Sequence, residues 1–163
     1  MHKINQKYIN NLVLKALQED LKPNGDITTK LLNSKNKIVQ AKIISKQNGI
    51  ISGIDFCKAA FKLLERKSKF LPKIKDGKKI RKNQIIAEIT AKVKTILIAE
   101  RTALNFLNHA SGISTITNKY VSKVKNKTKI CCTRKTTPNL RLLEKYAVRK
   151  GGGHNHRFNL SDE

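Results

Sequence analysis

CCTRKTTPNLRLLEKYAVRKGGGHNHRFNLSD, residues 131–162, decides the fold. Lys129 to Cys132 reads as a short strand. Thr137-Pro138 predicts a helix start, with Thr137 as N-cap and Pro138 at the first helical position, where its missing N–H costs nothing. Leu140, Leu143 and Ala147 fall on one face of that helix, and Gly151-Gly152-Gly153 ends it. Strand, loop and helix in this order form the first βα unit of an α/β sheet or barrel. In such folds ligands bind at the carboxyl ends of the strands. Thr133-Arg134-Lys135-Thr136 occupies that end. Arg134 brings a planar fork of donors that matches a carboxylate or phosphate, Lys135 a point charge, and the threonines their hydroxyls. A solvated basic loop explains these four residues equally well. The balance shifts at the other end of the unit, where Asn155-His156-Arg157 follows three consecutive glycines. Such a run predicts an unusual backbone path or a close approach, with His156 and Arg157 aimed rather than left on a mobile stem. Arg134, Lys135, His156 and Arg157 together suit a small molecule carrying several negative charges.

Upstream, the pattern is that of an α+β domain. Ile9, Leu12, Val13, Ala16 and Leu17 predict an amphipathic helix from Lys7 to Glu19. Lys22-Pro23-Asn24-Gly25-Asp26 is a turn, and Asp26 and Thr28 can cap a segment from Thr29 to Leu32. Strands are predicted at Ile38 to Ile44 and Gln84 to Thr90, with a short strand or turn at Ile50-Ile51. A helix follows with Ile54, Cys57, Phe61 and Leu64 on one face, and Lys75-Asp76-Gly77-Lys78 is a turn with no assigned chemistry. Lys92 to Ile98 opens a long helical stretch, with Leu97, Arg101, Leu104 and Asn105 on one stripe. Glu100-Arg101 reads plainly as a surface ion pair, but the apolar neighbours of Arg101 point to an interface. Gly112 is expected to interrupt this helix before a second piece carrying Ile113, Ile116, Val121 and Val124. The patterning changes character inside the helix, which places a domain boundary between residues 102 and 103. The fold class is therefore α/β: an α+β domain over 1–102, with a small antiparallel sheet plus helices, then the truncated start of an open, TIM-like barrel over 103–163.

Lys and Arg number 35 against 11 Asp and Glu, a formal net charge of +24. Such an excess raises the possibility of a nucleic-acid or lipid partner. Most of it is Lys scattered from Lys3 to Lys150 and reads as solvated faces. The interleaved aromatics of a single-strand binder are missing, with five Phe, three Tyr and no Trp. Cys57, Cys131 and Cys132 form neither a disulfide framework nor a zinc spacing and read as ordinary residues in a reducing compartment. No apolar run approaches the roughly 20 residues of a bilayer span, and the polar N-terminus has no signal-peptide core. A soluble cytoplasmic protein is expected. There is no Walker loop, dinucleotide fingerprint or serine elbow.

Four segments are similar to the quinolinate phosphoribosyltransferase family: Glu19-Asp20 through Gly25-Asp26-Ile27-Thr28-Thr29, GIISG at 49–53, AERTALNFLNHASGIST at 99–115, and the long stretch from Thr133 to Asp162. They span nearly the whole chain. The resemblance implies a pentosyltransferase that converts quinolinate and phosphoribosyl pyrophosphate, with magnesium, to nicotinate mononucleotide, pyrophosphate and carbon dioxide in NAD biosynthesis. It implies a homodimer with shared active sites, and neither a nucleic-acid nor a membrane partner. Carried over by motif, Thr133, Arg134, Lys135, His156 and Arg157 line the quinolinate pocket, and Arg101 reaches into the partner subunit's site. No residue is singled out as catalytic and none as a metal ligand. Cys132 departs from the family, many members of which have Asp there. The larger departure is that the chain stops at Glu163, before the remaining barrel strands, a further pocket lysine, acidic residues and phosphate loops of the family. A fragment inactive alone is expected. A non-catalytic anion-binding or dimerising remnant is the alternative.

Overall fold

The computed structural model describes residues 4–125 and 127–162, the Thr28 side chain excepted. Helix α1, Gln6–Leu21, is capped by Asn5, whose side chain accepts from the Lys7 amide at 2.7 Å. It buries Ile9, Val13 and Leu17, the expected stripe. The single turn α2, Ile27–Lys30, is capped by Asp26, whose carboxylate accepts from the amide and hydroxyl of Thr29. The Thr28 contribution expected at this cap lies outside the described residues.

Strand β1, Ile38–Ile44, matches its predicted span. It pairs antiparallel with the central strand β5, Ile85–Lys92, in the register Ile38 opposite Lys92. The other neighbour of β5 is β3, Lys69–Pro72, which the sequence reading missed. At four residues, with Lys69 at one end and Pro72 at the other, it gives little strand signal, and as an edge strand it tolerates the missing N–H. A second ribbon pairs β2, Gly49–Ile50, with β4, Lys79–Ile80. Helix α3, Ile54–Leu64, buries Ile54, Phe56, Cys57, Ala59, Ala60 and Phe61. Burial, with Asp76 nearby, pushes the Cys57 thiol up to about 12, which leaves it chemically inert.

Helix α4 runs unbroken from Val93 to Val124, so the expected interruption at Gly112 does not occur. A Cβ at Gly112 would meet nothing within 4 Å, and the hydrogen-bond ladder passes through it. The first turn of α4 is capped from a distance: the Glu65 carboxylate accepts from the Lys92 amide at 3.0 Å and the Thr95 hydroxyl at 2.7 Å. The Lys92 amide bond is the chief reason that Glu65 titrates below the usual range. The inner stripe of α4, with Ala99, Ala103, Phe106, Leu107 and Ala110, packs on α1 and α3, and Phe106 stacks on Phe56 at 5.5 Å. On the stripe of Leu97, Arg101 and Leu104, Leu97 is 45% exposed and Arg101 is exposed, while Leu104 is half-buried.

Helix α5, Arg141–Lys150, docks on the C-terminal half of α4 and buries Leu143, Lys145 and Ala147. It starts three residues later than Thr137-Pro138 predicts. Asn139 takes a left-handed φ of 63°, so residues 137–140 close a turn, with Leu140 N–H donating to the Thr137 carbonyl, before the helix can begin. Leu140 is the N-cap and offers no side-chain acceptor, while Glu144 reaches back to the Thr137 amide at 3.3 Å. Asp76, a plain turn residue by sequence, ties the two halves of the chain together. Its carboxylate accepts from the Gly53 and Ile54 amides at the start of α3 and from the Tyr146 hydroxyl of α5 at 2.8 Å.

Burial outweighs those three hydrogen bonds and holds Asp76 above its usual value of 3.8. A raised folded value means that the folded state binds this proton more tightly than the unfolded chain. The corresponding stability is complete below 3.8 and is lost as pH rises through the raised value. Glu65 and Glu88, both shifted downward, act in the opposite direction in any variant that keeps them. Urea unfolding across acid to neutral pH is therefore expected to show the stability of the wild type relative to Asp76→Asn falling as pH rises and then levelling. A difference that grows with pH would contradict this assignment.

Candidate functional site: an anion-binding end of the βα unit

Two backbone hydrogen bonds build the site. Cys132 N–H donates to the His154 carbonyl at 2.9 Å and His154 N–H to the Ile130 carbonyl at 2.8 Å. They make a one-residue parallel bridge between Cys131 and His154, where the sequence predicts a strand from Lys129 to Cys132. The chain thus begins two parallel strands, with α5 as the crossover. Immediately beyond the bridge, the loops 133–136 and 155–158 leave side by side.

The three glycines make the second strand possible, each differently. Gly151 is in ordinary helical geometry, but a Cβ there would lie 2.4 Å from the Ser114 carbonyl oxygen. Ser114 itself donates to the Ala147 carbonyl at 2.7 Å, and Asn118 to the Gly151 carbonyl at 3.2 Å, so α4 and α5 are locked at this contact. Gly152 carries a φ of +91°, and a Cβ on Gly153 would press on Thr117 and Val148. Both a close approach and an unusual path are present.

The first loop is a tight turn. Thr133 Oγ1 accepts from the Lys135 amide at 3.1 Å, and Thr136 N–H donates to the Arg134 carbonyl at 3.0 Å. Thr133 and Lys135 are exposed, and Arg134 is half-buried. Arg134 Nε is fully buried and has no hydrogen-bond partner among the described residues. In the second loop, the Arg157 amide donates to His156 Nδ1 at 2.8 Å. In the neutral ring this contact leaves the proton on Nε2, which can then serve as a donor. His156 and Arg157 are exposed. The structure therefore brings five of the six expected residues, Thr133, Arg134, Lys135, His156 and Arg157, to one end of the βα unit. Arg101 is elsewhere: exposed on α4, it lines a shallow depression with Glu19, Asp20, Asn105, Phe106 and Leu140. The expected Glu100–Arg101 ion pair is not among the ion pairs of the described residues.

Three residues that sequence reasoning overlooked support these loops. Arg141 Nε donates to Thr136 Oγ1 at 3.2 Å and its Nη1 to the Phe158 carbonyl at 2.9 Å. One turn later, Lys145 Nζ donates to Cys132 Sγ at 2.9 Å and to the His156 carbonyl at 2.8 Å. Two like charges at i and i+4 on a helix repel, a spacing that signals acceptors elsewhere. Cys132 is accordingly no ordinary strand residue, since its sulfur also accepts from the His156 amide at 3.4 Å. Among the described residues, no three His, Cys, Asp or Glu side chains gather in a way that would hold a metal ion. No helix among them is long and apolar enough to cross a membrane.

An α+β domain leads into a βα unit whose strand ends carry Thr133, Arg134, Lys135, His156 and Arg157, a mixed α/β class with a candidate site for an anion. Comparison with known proteins gives the family. Residues 26–111 match the quinolinate phosphoribosyl transferase N-terminal domain and residues 113–163 its C-terminal domain. The chain is 41% identical over 160 residues to the probable nicotinate-nucleotide pyrophosphorylase [carboxylating] of Bacillus subtilis, covering 94% of this chain and 55% of that protein. It is 42% identical, with the same coverages, to the protein of that description from Methanocaldococcus jannaschii. Among solved structures, the nicotinate-nucleotide pyrophosphorylase of Francisella tularensis superposes with a TM-score of 0.92 at 39% identity, over 98% of this chain and 57% of that one. The Ehrlichia chaffeensis structure gives 0.89 at 39% identity, over 99% and 58%. The chain belongs to the quinolinate phosphoribosyl transferase family, and it spans about half the length of the curated relatives it matches.

The glycine geometry yields a pair of substitutions of opposite sign. Gly151→Ala overpacks the α4–α5 contact and is expected to cost about 1–3 kcal/mol. Gly112→Ala, in open space within a helix, is expected to gain up to about 1 kcal/mol. Thermal unfolding of the two variants checks this, and a melting temperature unchanged in Gly151→Ala would contradict the close approach.

Proposed function

We propose that this chain provides the quinolinate-binding half of a nicotinate-nucleotide pyrophosphorylase. The observation that carries the proposal is the buried, unpartnered Nε of Arg134, set beside a second loop that presents His156 and Arg157. A buried guanidinium N–H without an acceptor costs stability, and a carboxylate supplies the acceptor. Quinolinate has two adjacent carboxylates on a pyridine ring. Arg134 takes one through its fork. Arg157 and Lys135 neutralise the other, and His156 Nε2 and the Thr133 hydroxyl donate to the remaining oxygens. The relatives named above are carboxylating pyrophosphorylases, which fits a dicarboxylate held in this way.

Chemistry on such a ligand asks the protein mainly for orientation and charge. The pyridine nitrogen attacks the anomeric carbon of phosphoribosyl pyrophosphate as pyrophosphate leaves. The ring becomes cationic. When the adjacent C–C bond to the carboxylate breaks, its electron pair passes into that ring, carbon dioxide departs and the ring carbon takes up a proton. The cations of the two loops hold the dicarboxylate so that its nitrogen faces the sugar. Magnesium bound to the pyrophosphate would enter with that substrate. Among the described residues no group of three His, Cys, Asp or Glu side chains fits the ion.

Arg101 lies apart from the five clustered residues, exposed on α4 beside the exposed Leu97 and the half-buried Leu104. This placement supports a homodimer in which Arg101 serves the partner subunit's site. A small dicarboxylate fits the convergent cations better than nucleic acid does, because the other lysines are dispersed along the chain. The proposed setting is the cytoplasm.

The test joins residues 1–163 to the C-terminal part of a full-length relative. Arg134→Ala is expected to raise the KM for quinolinate roughly 10- to 100-fold, as for loss of charge-assisted bonds worth about 1.5–3 kcal/mol. The KM for phosphoribosyl pyrophosphate should change far less. Equal effects on both substrates would defeat the role of Arg134. Arg101→Ala and Arg134→Ala subunits, each impaired at quinolinate concentrations below the raised KM, are expected to recover part of the activity there when mixed under confirmed exchange. No recovery would count against the shared site.

A further inference from the structure

Lys145 is fully buried, the only charged side chain so placed among the described residues. Its ammonium contacts Cys132 Sγ, the His156 carbonyl and, at 4.9 Å, the Phe158 ring. None of these is a carboxylate, and the ion pairs of the described residues are Lys73–Glu88 and His109–Glu144. An ammonium buried against dipoles alone is destabilising, and an apolar side chain of the same length would fill the space at lower cost. The charge is therefore explained by what it holds rather than by stability.

What it holds is a single peptide plane. The carbonyl of the 156–157 peptide accepts from Lys145, and the N–H of the same unit donates to His156 Nδ1. The ammonium thus fixes the plane that sets the imidazole's orientation and its tautomer. The second arm of the ammonium grips Cys132, the residue before the Thr133–Thr136 turn. Between the His154 bridge and Phe158, where Arg141 takes over, the ties to the rest of the fold are Lys145 and the Cys132 sulfur.

Resting on the dicarboxylate reading above, we propose that Lys145 is a positioning residue of the anion site. It fixes the separation of the two loops and the aim of His156 and Arg157, and the ligand's carboxylates complete its charge.

The experiment compares the 163-residue chain with Lys145→Met by NMR, first without ligand and then with quinolinate, with nicotinate as the one-carboxylate control. Without ligand, the backbone heteronuclear NOEs of His156 and Arg157 are expected to fall in the variant while those of α5 hold, with the melting temperature unchanged or raised. With ligand, quinolinate affinity is expected to drop roughly tenfold or more, as for a lost charge-assisted contact. Unchanged NOEs together with unchanged affinity would overturn the proposal. So would losses spread evenly over α5 and the loops, which mark a merely structural lysine. Should Lys145→Met not fold, the side-chain ammonium signal of Lys145 in the unsubstituted chain decides: a shift on saturation with quinolinate supports the role, and a static signal overturns it. Failure of the unsubstituted chain to bind quinolinate would remove the functional reading, while the ligand-free comparison still decides what Lys145 does.

Discussion

The pairing of residues 130–132 with His154 is one residue long, yet the site depends on it. Parallel strands cannot be joined by a tight turn, so a helix must carry the chain back, and α5 does so. The return fits only because α5 leaves α4 with no room for a β-carbon at Gly151. Close helix packing, a left-handed glycine and two backbone hydrogen bonds then set Thr133–Thr136 and Asn155–Phe158 next to each other.

The N-terminal domain acts as the platform for this geometry. Helix α4 carries the core on its first half and the βα unit on its second, without a break. Asp76 links the start of α3 to Tyr146, the Tyr8 hydroxyl donates to the Asn139 carbonyl at 3.0 Å, and His109 meets Glu144 at 3.0 Å. These ties cross from α1, the Asp76 turn and the middle of α4 to residues around α5. The opening of the barrel is thereby held against the α+β domain by polar contacts as well as by Leu143 and Ala147 in the shared core.

Much of this was legible in the residues. Periodicity placed α1, α3 and β1, because one face of each is buried and the other is wet. The candidate site was legible as a clustering of Arg, Lys and His at the ends of a predicted βα unit, and the backbone does set the two loops that carry them side by side. What escaped was non-local. Edge strand β3 is defined by its pairing with β5, not by its own composition. Gly112 fits in a helix when tertiary packing outweighs propensity. Thr137 lost its cap role to the left-handed Asn139, a backbone choice that no side-chain pattern announces. Lys145 looked like a surface residue, since a buried lysine is visible only once its acceptors are in place. Asp76 looked like a turn for the same reason.

The most direct measurement is a crystal structure of this chain grown with quinolinate. One ligand carboxylate is expected within hydrogen-bond distance of Arg134 Nε, with His156 Nε2 donating to the same molecule. Quinolinate bound elsewhere, with Arg134 Nε still without an acceptor, would contradict the assignment of the two loops as the dicarboxylate site.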